Sequence, residues 1–182
     1  MSLRMRDTFT FHICESSASA SEGRPAALGG SGSVWHGRGM THDERRAIEA
    51  DCERLIRLYA NLADAGEWAR VAALYTEDGR LARPSRPDVF VEGREAILAS
   101  FTARSARPQR HVVSNIVVEV GDAGHASAFS VMLLFTGEAQ VDGGLPVRDA
   151  TGPLVGSYTD RLVRDADGWR FVERVGGLDF RP

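Results

Sequence analysis

Three side chains of this sequence are suited by type and placement to moving a proton: Asp64, His111 and Tyr59. Asp64 falls at the end of a helix-forming stretch, where a carboxylate faces the negative end of the helix macrodipole. An apolar surround would disfavour its charge further, which suits a general base taking a proton from carbon next to a carbonyl, or an acid returning it. His111 opens a β-branched stretch and would share that proton or protonate a leaving hydroxyl. Tyr59 would donate a hydrogen bond to a developing enolate oxygen. Each also has a purely structural reading. Asp64 is then a solvated polar group at a helix end, His111 a hydrogen-bonded core histidine, and Tyr59 a packed ring with a satisfied hydroxyl.

Around this trio, Trp68, Tyr75, Asn115, Tyr158 and Asp160 are candidates for contact with a bound molecule. Trp68, Tyr75 and Trp169 read first as core and only second as a ligand platform. Tyr158, Asp160 and Leu162 share one strand face by period two, so that face is expected to line a cavity. Asp160 has a structural alternative as the ion-pair partner of an arginine such as Arg174.

Other chemistries are excluded or unsupported. All 22 basic side chains are arginines, so lysine Schiff bases and P-loop lysines are ruled out. His12, His36 and His42 sit in or beside an N-terminal tail, and His125 reads as a turn residue. With no HExxH and no cysteine pair at ligand spacing, neither metal nor cofactor is expected. Gly29-Gly30-Ser31-Gly32 lacks the strand and helix of a phosphate loop, and there is no serine nucleophile elbow. A net charge of −3 gives no electrostatic footprint for nucleic acid. No apolar run approaches the roughly 18 residues of a membrane span, and no secretory signal opens the chain. Two cysteines, Cys14 and Cys52, make no disulfide framework, so a cytoplasmic location is expected.

The chain of 182 residues is long enough for one domain with a real core. Residues 1–39 are Ser-, Ala- and Gly-rich without periodicity and read as a disordered extension. Met40 looks like the start of the domain, which spans 40–182, with Thr41 or Asp43 able to cap a helix. Ile48, Cys52, Leu55, Ile56, Tyr59, Leu62 and Ala63 then recur at three- and four-residue spacing, and Gly66 ends that helix. Short helices are expected over 67–74 and 94–103, with a short strand near 80–83 and loop over 84–87. From Arg110 on, β-branched and alternating segments at 110–120, 126–136, 156–164 and 169–180 predict an antiparallel meander, the α+β order. A curled sheet with helices across its open face would enclose a cavity.

Several strings carry a family resemblance: Leu58–Trp68 (LYANLADAGEW), Leu74–Gly79 (LYTEDG), Val91–Ile97 (VEGREAI), Arg110–Asn115 (RHVVSN), Gly156–Arg161 (GSYTDR) and Gly168–Phe171 (GWRF). Over roughly residues 43 to 177 the chain resembles SnoaL-like domains of the NTF2-like superfamily. The resemblance implies an α+β cone, a curved mixed or antiparallel sheet with three N-terminal helices enclosing a cavity. It is similar in its polar residues to scytalone dehydratase and bile-acid 7α-dehydratases, which place an aspartate four residues before an aromatic position, as Asp64 stands to Trp68. Tyr59 and His111 fall at matching positions. Such dehydratases carry a further His or Asp on the next long strand, where this chain offers only Ser127 and Ser130. The resemblance implies a cofactor-free lyase or isomerase acting on a small, largely apolar, oxygenated molecule such as a polyketide, steroid or aromatic compound. The alternative it leaves open is a non-catalytic ligand-binding or assembly module like the β subunits of ring-hydroxylating dioxygenases. Relatives commonly form dimers or trimers, so a homo-oligomer is expected.

Overall fold

The computed structural model describes residues 39–180. The expected disordered extension lies, but for Gly39, outside the described residues. Helix α1 (His42–Asp64) begins on Thr41, whose hydroxyl accepts the Glu44 backbone N–H while the Glu44 carboxylate accepts the Thr41 N–H, a capping box. It ends on the glycine the sequence singles out. Gly66, at φ 69°, donates to the Ala63 carbonyl and Glu67 donates to the Leu62 carbonyl. These are the two bonds of a Schellman motif, and they make Asp64 the last helical residue.

Helix α1 is pinned along strand β3 (Gln109–Val120) at both ends. Arg45 donates to the Val120 carbonyl at 3.3 Å, and the Gln109 side-chain amide donates to the Ala63 carbonyl at 2.6 Å. The helix therefore runs antiparallel to β3, which brings its last residue beside the first turn-in of that strand. Ile56 and Cys52 on its apolar face are fully buried.

Two shorter helices, α2 (Trp68–Ala72) and α3 (Arg94–Thr102), flank it. Between them lies a hairpin of β1 (Tyr75–Arg83) and β2 (Arg86–Glu92). Strand β2 is a correction to the expected loop at 84–87. The prolines there concealed a strand that is tolerated because β2 is the edge of the sheet, where a missing N–H leaves no ladder bond unmade. Strand β1 is also longer than the expected four residues. Helix α2 is shorter than 67–74.

The remaining strands are β4 (His125–Glu138), the two-residue β5 (Val147–Arg148), β6 (Leu154–Asp165) and β7 (Gly168–Leu178). The sheet order is β2-β1-β7-β6-β4-β3, with β5 paired to β4. Among the described residues only β1 and β7 pair in parallel, so the curled sheet is mixed, with the helices over its concave face.

A β-bulge on β3 decides which residues face inward. Asn115 and Ile116 together oppose Ser130, and Asn115 takes φ 49°, a left-handed conformation that asparagine tolerates. Before the bulge the odd residues Gln109, His111 and Val113 are the less exposed ones, and after it Ile116, Val118 and Val120 are. Because the side-chain period is two, the extra residue is what lets one strand present His111 at one end and an apolar floor at the other.

The β1–β2 turn rests on β7 at Gly176, where a Cβ would meet Pro84 Cγ and Cδ at 2.5 Å. Gly176→Ala is therefore expected to destabilise the fold by about 1–3 kcal/mol through overpacking against a ring that cannot flex away. Urea unfolding measures this, and a change below about 0.5 kcal/mol would mean the turn moves freely.

Candidate functional site

Asp64 and His111 meet because α1 ends where β3 begins. The His111 Nδ1 lies 2.6 Å from Asp64 Oδ1, and the His111 backbone N–H donates to both carboxylate oxygens at 2.9 and 3.1 Å. Arg110 adds a guanidinium 3.6 Å from Oδ2. The Asp64 side chain is only 3% exposed and His111 9%. With donors on several sides, Asp64 acts as acceptor, so Nδ1 carries the ring hydrogen. Nε2 is then the nitrogen left with a free lone pair and no protein partner.

His111 lines a partly enclosed cavity of about 130 Å³, together with Tyr59, Tyr158, Trp68, Arg83, Arg104 and ten further residues. Asp64 does not line it. The carboxylate stands behind the imidazole, and the imidazole lines the space. Asp64 is buried rather than solvated, and His111 is hydrogen-bonded and nearly buried, as its structural reading expects, while it also lines the cavity.

Tyr59 and Tyr158 form one wall. Their rings meet edge to face at 6.3 Å, and both are buried. Burial raises both phenols above the ordinary tyrosine range, against the pull of Arg174. They are therefore neutral hydroxyls, able to donate, across the physiological range. Trp68 stacks flat on Phe101 at 5.2 Å and forms a second wall. Leu81, Met132, Leu134, Leu154 and Leu178 make the rest apolar.

Three candidate contact residues lie elsewhere. Asp160 is fully buried, and both its oxygens are taken by Arg174, from Nε at 2.8 Å and from Nη2 at 2.9 Å. The two residues face each other across β6 and β7, and the alternative reading of Asp160 as an ion-pair member is the observed one. The guanidinium of Arg174 is roofed by the rings of Tyr59, Tyr158 and Phe171 at 4.3 to 4.4 Å. Burial works against this cation, but Asp160, Tyr75 and Tyr59 outweigh it and hold its proton more tightly than in water. Tyr75 is fully buried beneath Tyr59 and Phe171 and does not reach the cavity. Asn115 is exposed on the bulge, where its backbone conformation explains it.

Arg83, Ser85, Arg104 and Gln109 also line the cavity and were not among the sequence candidates. Arg83 had a legible signal, since it shares the inward parity of Leu81 on β1. Arg104 follows α3 in an irregular segment and had none. Buried Cys52 is pushed up to about 12, by burial first and then by Asp51, so it is no thiolate nucleophile at neutral pH. Among the described residues no group of three or more His, Cys, Asp or Glu side chains could hold a metal ion, and no helix is long and apolar enough to cross a membrane.

The SnoaL-like domain model matches residues 44–175, and the chain belongs to that family, with its NTF2-like cone. No curated protein matches the sequence significantly. Among solved structures it is similar to a Novosphingobium aromaticivorans protein provisionally named a scytalone dehydratase (22% identity, TM-score 0.65, covering 77% of this chain and 89% of that one). It is also similar to ActVI-ORFA of Streptomyces coelicolor (24% identity, TM-score 0.59, covering 73% and 98%). A third, from Catenulispora acidiphila, was solved in complex with S-DNPA (24% identity, TM-score 0.57, covering 74% and 95%). At these identities the likeness establishes the fold alone.

Proposed function

We propose that this protein is a cofactor-free proton-transfer catalyst, a lyase or isomerase acting on a small oxygenated molecule held in the cavity of the cone. The observation that carries the reading is the Asp64–His111 pair, with the imidazole on the cavity and the carboxylate behind it. In this scheme Nε2 of His111 takes a proton from carbon next to a carbonyl. The electron pair moves onto the carbonyl oxygen, where a hydroxyl of Tyr59 or Tyr158 donates to it. The imidazolium then returns the proton, either to a β-hydroxyl that leaves as water or to a more distant carbon. Asp64 steadies the imidazolium. The dehydratase name of one similar structure supports the reaction class, and the complex of another with S-DNPA supports a bound ligand.

The size of the cavity narrows the substrate. An engineered apolar cavity of about 150 Å³ holds a single benzene. At 130 Å³ this one fits one ring with short substituents better than a four-ring steroid. The test is a panel of single-ring β-hydroxy ketones and β,γ-unsaturated ketones, followed by the ultraviolet absorbance of the conjugated product. Wild-type turnover is expected, with His111→Asn slower by about 10²-fold or more. Turnover unchanged in His111→Asn would sink the assignment.

We also propose that the chain forms a homo-oligomer through the convex face of the sheet. Val112 and Val117 there are 46% and 54% exposed, and Phe129, Val131, Leu133 and Phe135 of β4 alternate on the same side. Light scattering is expected to give twice or three times the 19.8 kDa chain mass. A monomer at micromolar concentration would refute it. A protein that assembled and bound ligand but turned nothing over would support the alternative, a binding or assembly module.

A further inference from the structure

The cavity lining contains two cations and no anion. Arg83, at the end of β1, and Arg104, just past α3, both face it, whereas no aspartate or glutamate does. Among the described residues several arginines have acid partners, including Arg57, Arg70, Arg80, Arg107, Arg161 and Arg170. Arg83 and Arg104 have none. Arg83 commits Nη2 to Ser100, donating to its carbonyl at 2.6 Å and its hydroxyl at 3.0 Å, and lays its guanidinium 5.3 Å from the Phe101 ring. Its Nε is buried without any hydrogen-bond partner.

Such an arrangement is costly in the empty protein. A buried, unpartnered N–H of a charged group forfeits its hydration with nothing in return. Burial, and then the like charge of Arg104, both pull the Arg83 guanidinium below its ordinary range. An anion between the two side chains would relieve the repulsion between them. A planar carboxylate matches the guanidinium fork better than a spherical ion.

We propose that Arg83 and Arg104 form a subsite for an anionic group, and that the ligand is a small acid, one ring bearing a carboxylate. The rest of the cavity agrees with this. Trp68 on Phe101 offers a flat wall to a ring, Leu81, Met132 and Leu134 an apolar floor, and Ser85 a hydroxyl beside the arginines. Gln109 gives one of its amide hydrogens to the Ala63 carbonyl. The inference rests on the reading of this cavity as the ligand site, and it adds that the substrate carries a negative charge held by the two arginines.

The experiment compares benzoate with benzamide, its neutral isostere, by chemical-shift titration on the full chain. Benzoate is expected to bind the wild type at least about tenfold more tightly, the discrimination of one charge-assisted hydrogen-bond pair. Arg104→Gln, at an exposed position without protein partners, should remove most of that preference while the shifts of the core stay in place. Arg83→Gln should do the same. The His111→Asn protein should keep the preference, because the acid is held by the arginines. Equal affinity for the two probes, no saturable benzoate binding up to millimolar concentration, or a preference that survives Arg104→Gln and Arg83→Gln would each overturn the subsite. None of these results bears on whether His111 transfers protons, so the two proposals fail separately.

Discussion

Asp160→Asn is expected to lower the unfolding free energy by about 3–5 kcal/mol, the cost of leaving one member of a buried ion pair without its partner. The carboxylate and the guanidinium are 0% and 1% exposed and joined by two hydrogen bonds, so screening offers no relief. For a domain whose whole margin is roughly 5–15 kcal/mol, that is a large share. Asparagine keeps the shape and one acceptor, which isolates charge from packing. The pair is not expected to be strongly stabilising in itself, because desolvation of both ions offsets most of their attraction. Joint replacement, Asp160→Leu with Arg174→Met, should therefore recover most of the loss, since methionine can still fill the space under Tyr59, Tyr158 and Phe171. Urea midpoints of the two single variants and the double variant decide it. A single-variant loss under 1 kcal/mol, or a double variant worse than both singles, would show that the pair is not the element holding this part of the core.

The pair also bears on the cavity. Arg174 stacks against the rings of Tyr59 and Tyr158, which reach the cavity from the same side. A cation packed against two phenol rings fixes their planes and eases negative charge on their hydroxyl acceptors. Placing it there demands the anion of Asp160, so a residue that reads as a candidate contact in sequence lies behind the tyrosine wall of the cavity.

Local rules made much of this architecture legible. The apolar face from Ile48 to Ala63, the glycine at 66 and the threonine at 41 each specify backbone bonds within a few residues, and those are the bonds observed. The four long strands announce themselves by β-branched and alternating residues. Strand β2 did not, because Pro84 and Pro87 argue for a loop unless one knows that the strand is an edge. The bulge at Asn115 was equally hidden. Whether an extra residue sits in β3 depends on what β4 places opposite it, and no single segment contains that information.

The candidate site divides along the same line. Tyr59, Asp64 and His111 stand at positions fixed by a helix end and a strand start, so pattern could single them out. How Asp64 and His111 meet depends on a contact across 47 positions of sequence, and only the fold supplies it. Tyr75 shares its type, and Asp160 its strand parity, with the cavity-lining tyrosines, yet both are fully buried and outside the cavity lining. Arg104 has no periodicity to betray it.

The second large effect is expected at Asp64. Asp64→Asn should reduce kcat by about 10²–10⁴-fold on any substrate that His111 deprotonates, with KM changed little. The amide oxygen can still accept the His111 backbone N–H, but its NH₂ would then face Nδ1. That geometry forces the ring hydrogen onto Nε2 and leaves no lone pair for the substrate. In the Ser-His-Asp triad the same replacement costs roughly 10⁴-fold in kcat for this reason. Groups that act as one unit lose their effect together rather than in sum. The double variant Asp64→Asn with His111→Asn should therefore be no slower than His111→Asn alone. Losses that multiply would mean that Asp64 meets the substrate independently, as a base in its own right. Turnover within threefold of wild type in Asp64→Asn would mean that neither the tautomer nor the carboxylate matters. In the first case the reactive carbon must reach α1 rather than β3, and in the second the phenols of Tyr59 and Tyr158 become the groups to test next.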